Sequence, residues 1–316
     1  MKIGVLTSGG DSPGMNVAIR AVVRAGIKEG HKVYGVFDGY RGLLDENMKL
    51  MTHESVSGII VAGGTILGTS RVPEFLEHET RLKAVENLKK KGIEALVVIG
   101  GDGTYCGAME LTKLGIKCIG IPGTIDNDVC GTDFTLGFHT AVETIVDALD
   151  KLRDTSTSHQ RCSVLEVMGR KCGDLALYAG ICGGAEYIIT PENPIDKNKM
   201  LKDLAKYKKE GRRHAVVVIT ENICDPHALA SEITEKSGFS SRATVLGYIQ
   251  RGGSPCPMDR ILGSRMGEYA IELLSKDIHG VAVGVVNERM IHMPFNNIVG
   301  QPRPRNELYQ LVKQVS

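Results

Sequence analysis

Short apolar runs rich in β-branched residues recur along the chain at residues 3–6, 33–37, 95–99, 118–121, 163–167, 215–219 and 281–285. Between them lie stretches with helical patterning, which predict helices over residues 15–29, 78–91, 139–154, 197–209 and 261–274. Several of the short runs are apolar at consecutive positions, as expected of strands covered by helices on both faces. Strands alternating with helices indicate parallel pairing through crossover connections, so the expected class is α/β, doubly wound and mainly parallel. Ligands in such sheets lie beyond the carboxyl ends of the strands, and that is where the Gly-rich segments of this chain fall.

With 316 residues and 42% hydrophobic content the chain can bury a sizeable core, and its length suggests about two domains. The balance of 38 Lys+Arg against 37 Asp+Glu gives no global field toward nucleic acid or an anionic membrane, so an anionic substrate must meet locally clustered positive charge. The first residues, Met1 to Leu6, run straight into a Gly turn without a secretory signal, and no apolar run approaches the ~20 residues of a membrane span. A cytoplasmic location is expected. The eight cysteines are dispersed without C-x-x-C spacing, which predicts reduced, mostly buried thiols rather than a zinc or disulfide framework.

Three Gly-containing segments follow strands. In Thr7-Ser8-Gly9-Gly10-Asp11-Ser12-Pro13-Gly14 the glycines let backbone amides approach an anion at a helix start, so phosphate is the natural guest. Met15 and Asn16 stand where a P-loop needs Lys and Ser/Thr, which excludes a Walker A site. Gly100-Gly101-Asp102-Gly103-Thr104 repeats the strand, glycine, helix arrangement and adds a carboxylate suited to Mg²⁺ beside bound phosphates. Gly101, Gly103 and Gly107 only loosely imitate a dinucleotide fingerprint, and the ribose-binding acid is missing. The third segment, residues 122–128, places Asp126 and Asp128 two residues apart, so both address one side of an extended segment. One carboxylate can take a hydroxyl proton while the other organises metal or neighbouring groups, a division suited to phosphoryl transfer.

These segments resemble the bacterial ATP-dependent 6-phosphofructokinase family over nearly the whole chain. The likeness rests on T-S-G-G-D-S-P-G-M-N at 7–16, V-I-G-G-D-G-T at 98–104, I-P-G-T-I-D-N-D at 121–128, S-H-Q-R at 158–161, E-V-M-G-R at 166–170 and I-Q-R-G-G-S-P at 249–255. The resemblance implies that Gly10, Arg71, Val72, Asp102, Gly103 and Thr104 bind ATP, with Asp102 on Mg²⁺. It implies Asp126 as the base, Thr124 and the Gly10 amide on the transferring group, and Arg71 and Arg170 on its charge, with Asp128 beside them. The sugar phosphate falls to Thr124, Ile125, Asp126, Arg161, Met168, Gly169, Arg170, Glu221, Arg242, Tyr248 and Arg251, the arginines offering paired hydrogen bonds to phosphate. Tyr248 replaces a histidine common in the family, which leaves the 6-phosphate chiefly to Arg161, Arg242 and Arg251.

In the family, residues matching Arg161 and Arg242 reach a neighbouring subunit's site, which implies a homotetramer. An effector site for ADP or phosphoenolpyruvate is matched by Arg20, Arg24, Arg153, Gly184, Glu186, Arg212, Arg213 and His214, with His53 in place of a usual arginine. Two domains with the active site in the cleft between them are implied, residues 1–137 plus 250–300 binding ATP and 138–249 plus 301–316 binding the sugar phosphate. Pyrophosphate-dependent relatives carry Asp and Lys where Gly103 and Gly123 stand, so glycine at both favours ATP. A pyrophosphate-dependent enzyme, a kinase of another ketose phosphate and a non-catalytic nucleotide sensor are the alternatives.

Overall fold

The computed structural model describes residues 1–304 and 306–315. Arg305, in the turn expected before the last helix, and Ser316 lie outside the described residues. The chain divides into two compact units, residues 1–140 with 251–303 (unit 1) and residues 141–250 with the segment from Pro304 (unit 2). Unit 1 begins with β1 (Lys2–Thr7), α1 (Met15–Lys28), β2 (Lys32–Val36), α2 (Tyr40–Leu44), β3 (Met48–Leu50), α3 (His78–Lys91), β4 (Ala95–Gly100), α4 (Asp102–Lys113) and β5 (Lys117–Pro122). Helix α5 (Phe138–His159) leads into unit 2, which holds β6 (Arg161–Val167), α6 (Asp174–Cys182), β7 (Tyr187–Ile189), α7 (Lys197–Lys209), β8 (Ala215–Thr220), α8 (Pro226–Ser237) and β9 (Ser240–Val245). The chain returns to unit 1 for α9 (Pro257–Ser275), β10 (Val281–Val286) and β11 (Arg289–Pro294), and ends in unit 2 with α10 (Leu308–Val315).

The unit 1 sheet has seven strands in the order β11-β10-β5-β4-β1-β2-β3. Its five inner strands are parallel, while the edge strands β3 and β11 pair antiparallel with β2 and β10. Alternate strand residues feed two cores, as the period of two requires. Ile3, Val5, Val97 and Ile99 pack with α1 and α9 on one face. Leu6, Leu96 and Val98 pack with α2, α3 and α4 on the other. Each such aliphatic side chain contributes about 1.5–3 kcal/mol on full burial, so the doubly covered strands anchor the turns at their ends. Helix α1 buries Met15, Ala18, Ile19, Val22 and Val23, one stripe at helical spacing.

In the second core the Tyr105 hydroxyl is buried with no hydrogen-bond partner among the described residues, beside the ring of Phe295 at a centroid distance of 5.5 Å. Burying an unpaired hydroxyl is unfavourable, so Tyr105→Phe is expected to leave stability unchanged or raise it by up to about 1 kcal/mol. Urea denaturation measures this, and a loss of more than about 1 kcal/mol would show that the hydroxyl is satisfied in solution.

The unit 2 sheet is wholly parallel, in the order β7-β8-β6-β9. Cys162, Val164, Val217, Ile219, Leu204 and Ile233 form its core with α7 and α8. Asp196 and Asp225 cap those helices, each accepting from two backbone amides. The fold is thus α/β with two sheets rich in parallel pairs. Among the described residues no disulfide joins the cysteines: Cys118, Cys162, Cys172 and Cys256 are buried, Cys106 and Cys130 half-buried, and Cys182 and Cys224 exposed. Burial pushes the Cys118 and Cys162 thiols up to about 12, which keeps them unreactive. Among the described residues no helix is long and apolar enough to cross a membrane.

Candidate active site

Strand order in unit 1 reverses between β1 and β4: β2 follows β1 on one side, and β4 and β5 lie on the other. Crevices at such switch points bind ligands in open α/β sheets, and here both Gly turns open at this point. They are stitched together: Ser8 N–H donates to Ile99 O at 3.0 Å, and Thr104 Oγ1 donates to Ser8 O at 3.2 Å. Gly100 permits this approach, since a Cβ there would stand 2.4 Å from Ser8 O. Gly14, at φ 99°, turns the chain into α1 in a left-handed conformation that only glycine adopts freely.

Beyond Gly100 these turns leave open space at their glycines. A Cβ at Gly101 or Gly103 would meet nothing within 4 Å, and one at Gly10 would meet only the Arg251 guanidinium, at 3.5 Å. Exposed Asp102 occupies the first turn of α4, its Oδ1 accepting from Gly300 N–H at 3.3 Å. Buried Thr104 also accepts the Tyr40 hydroxyl at its carbonyl, 2.5 Å away. Arg71 is exposed, whereas Val72 is half-buried against the α2–α4 core. Asn16, unrecognised as more than a motif letter, is fully buried and holds the approach to Arg71 by bonding Ala62 O, Gly63 O and Ile66 N–H.

The third segment leaves β5 directly alongside, with Gly123 N–H donating to Gly100 O at 3.0 Å. Asp126 is 3% exposed, Ile125 is buried, and Thr124 and Asp128 are half-buried. Asp126 N–H donates to Thr124 Oγ1 at 3.2 Å. Asn127 is fully buried at φ 53° and braces the loop from within, its Oδ1 accepting from Thr135 N–H at 2.9 Å and its Nδ2 donating to Asp133 O at 3.2 Å. Unit 1 therefore gathers Gly10, Asp102, Gly103, Thr104, Thr124, Asp126 and Arg251 at the carboxyl ends of three adjacent strands.

Where the loop enters α5, Asp259 from the first turn of α9 is fully buried. Its carboxylate accepts from Gly137 N–H at 3.0 Å, Thr140 N–H at 2.9 Å and Thr140 Oγ1 at 2.6 Å. Thr140 Oγ1 accepts in turn from Cys256 N–H at 3.0 Å. The two helix starts thus satisfy each other's orphan amides.

In unit 2 the residues expected on the sugar phosphate divide. Met168, Gly169, Arg170 and Glu221 lie at the carboxyl ends of β6 and β8, where Arg170 N–H donates to Glu221 Oε1 at 3.0 Å. Gly169 has φ 135°, and a Cβ there would stand 2.3 Å from Cys172 O, so the turn presenting Arg170 requires glycine. Glu166, on the same strand, has its carboxyl raised by burial and then by the Glu221 and Asp225 charges. Arg161 begins β6, at the opposite strand end, and Arg242 on β9 lies in register with Ser163 of β6, two residues further along. A strand of this length spans about 20 Å, so within one chain Arg161 is remote from Arg170. Tyr248 is 77% exposed in the turn after β9.

Residues expected at the effector site form two groups. At the amino edge of the unit 2 sheet, Arg212 faces Glu186 at 4.0 Å, His214 Nδ1 lies 2.9 Å from Thr157 Oγ1, and Arg213 Nε donates to Thr157 O at 3.4 Å. Arg153 reaches within 3.3 Å of a Cβ position at Gly184. In unit 1, Arg20 and Arg24 stand one turn apart on α1, where burial and then the Arg24 charge lower the Arg20 pKa. His53 is exposed just before the short turn at Glu54–Val56.

A model of the family described as phosphofructokinase matches residues 2–274. The ATP-dependent 6-phosphofructokinase of Vibrio campbellii is 54% identical over 316 residues, 99% of each chain. That of Serratia proteamaculans is 57% identical over 291 residues, covering 92% of this chain and 91% of the relative. A phosphofructokinase structure from Saccharomyces cerevisiae superposes with a TM-score of 0.87 at 36% identity, covering 99% of this chain, which spans 46% of the yeast chain.

Proposed function

The chain belongs to the phosphofructokinase family, and we infer that it is an ATP-dependent 6-phosphofructokinase, converting fructose 6-phosphate and ATP to fructose 1,6-bisphosphate and ADP in glycolysis. The observation that carries the chemistry is the convergence of two open Gly turns and the Asp126 loop at the β1/β4 switch point.

In the proposed reaction the Asp126 carboxylate takes the proton of the sugar 1-hydroxyl as that oxygen bonds the γ-phosphorus and the bond to the ADP oxygen breaks. The Gly10 amide and Thr124 hydroxyl hold the transferring group, and Arg71 and Arg170 offset its charge. The open faces at Gly101 and Gly103 suit the remaining phosphates. Asp102 fits Mg²⁺, which takes one or two carboxylates together with phosphate oxygens and water. Bound there, the ion would neutralise charge developing between the β- and γ-phosphates.

The sugar phosphate is assigned to Met168, Gly169, Arg170, Glu221 and Arg251, with Tyr248 contributing less. Arg161, at the far end of β6, and Arg242, on neighbouring β9, serve the site of a neighbouring subunit in a homotetramer. The amino-edge cluster around Arg212, Arg213 and His214, with Arg20, Arg24 and His53, is assigned to ADP or phosphoenolpyruvate, in a cytoplasmic enzyme. Flat activity curves on titrating both effectors would end that assignment.

A coupled assay of fructose 6-phosphate turnover with ATP and with pyrophosphate tests the reading, with turnover expected from ATP. Turnover from pyrophosphate alone would overturn the donor. Gly103→Asp sharpens the test, because nothing crowds the site of its Cβ. The fold should be kept, while the new carboxylate opposes a nucleotide phosphate and raises the KM for ATP roughly tenfold or more. A KM within threefold of the parent would remove Gly103 from the ATP site. The same logic fails at Gly123, where a Cβ would already meet Ile99 Cγ2 at 3.0 Å and Met15 Cε at 3.1 Å.

A further inference from the structure

Beyond the stretch matched by the family model stands a half-buried arginine, Arg303, whose two terminal nitrogens reach the loop that carries Asp126. Its Nη1 donates to Thr132 O at 3.1 Å and its Nη2 to Asp133 O at 2.8 Å. The Asp133 carbonyl oxygen is the same atom that receives the Asn127 side-chain amide at 3.2 Å. Asn127 is bonded on its other side to Thr135, whose hydroxyl donates to Thr124 O at 2.6 Å. A chain of hydrogen bonds therefore runs from the guanidinium through one shared carbonyl to the residues on either side of Asp126.

The far side of the loop is fixed separately. Asp133 N–H donates to Val285 O at 2.7 Å, its Oδ2 accepts Asn287 N–H at 2.8 Å, and Thr132 Oγ1 accepts Val285 N–H at 3.0 Å. Strand β10 thus holds Thr132 and Asp133 through the Asp133 amide and their two side chains, while Arg303 engages their carbonyls. A planar fork meeting two successive carbonyls fixes their direction, which a flexible ammonium does not.

We propose that Arg303 is a positioning residue for phosphoryl transfer: it orients the Asp133 carbonyl, which sets Asn127 and through it the carboxylate of Asp126. The proposal rests on the reading of Asp126 as the base. The two Arg303 bonds described go to backbone carbonyls of the loop, so its loss misplaces the base without removing it. Displacements of about 1 Å in a catalytic group cost on the order of 10²-fold in rate.

The test uses Arg303→Met and Arg303→Lys, each alone and combined with Asp126→Asn, with kcat expressed per folded protein after circular dichroism and melting. Arg303→Met is expected to lower kcat about 10- to 100-fold with the KM for ATP within twofold, and Arg303→Lys to recover only part of the loss. In the Asp126→Asn background, Arg303→Met should have no further effect, because no base remains to be positioned. An equal loss in both backgrounds, or a kcat within twofold of the parent, would overturn the proposal by reducing Arg303 to packing. Should Arg303→Met fail to fold, Arg303→Lys decides alone: a kcat reduced at least threefold with unchanged melting supports the role, and a parental kcat refutes it. An Asp126→Asn enzyme of undiminished activity would instead overturn the base assignment, and the proposal with it.

Discussion

Asp126→Asn is expected to lower kcat about 10²- to 10⁴-fold, the range over which a positioned base contributes, while the KM for ATP changes less than about threefold. The substitution is nearly isosteric, so the loop should survive: Asp126 is 3% exposed, and its backbone bond to Thr124 does not involve the carboxylate. What disappears is the proton acceptor. On the acidic side the parent's rate should rise with pH as the base ionises, and the variant's should not. Steady-state kinetics across pH measure both effects. A kcat within tenfold of the parent would move the proton to another group, and half-buried Asp128 would be the first to examine.

The second large effect concerns stability. Asp259→Ala deletes a fully buried carboxylate that accepts from two backbone amides, the Thr140 hydroxyl and the Cys256 thiol, leaving Gly137 N–H and Thr140 N–H without their acceptor. Each buried orphan costs about 1–3 kcal/mol, so a total near 4 kcal/mol is expected. Thr140→Val should cost less, since the carboxylate keeps both amides. Chemical denaturation followed by circular dichroism measures the difference. A loss below about 1 kcal/mol for Asp259→Ala would mean that water replaces the cap readily.

Much of this architecture was legible in the sequence because the informative signals are local. The seven apolar runs all became strands, and helices α3 and α7 have the bounds that periodicity predicts. The strands without an apolar run escaped notice: β9 reads Ser-Ser-Arg-Ala-Thr-Val at a sheet edge, and β7 has three residues. Helix α6 is apolar almost all round and so lacks the stripe that marks an amphipathic helix. Helix α8 carried an unused start signal, Asp225 as cap and Pro226 in the first turn.

The same contrast holds for the site. The Gly turns and the Asp126 segment are contiguous, so motif and geometry coincide. The bonds that hold them are not contiguous: Asp259 with Thr140 and Arg303 with Asp133 join residues more than a hundred positions apart. A single sequence gives no sign of such pairs. Arg161 and Arg170 lie toward opposite ends of β6, and it is the family resemblance, not any local spacing, that assigns Arg161 to a neighbouring subunit's site.

The threading of the chain through its two units also bears on how the protein is made. Unit 2 receives its last pieces after unit 1 is complete in sequence: Asn306 Nδ2 donates to Asp174 Oδ1 at 3.3 Å, and the Tyr309 hydroxyl lies 2.7 Å from Thr190 Oγ1 and 3.1 Å from Glu192 Oε2. During synthesis the contacts at Asp174, Thr190 and Glu192 therefore stay unfilled until the residues beyond Pro304 have cleared the ribosome. Neither unit closes by simple vectorial folding, since each is assembled from two segments separated in the chain.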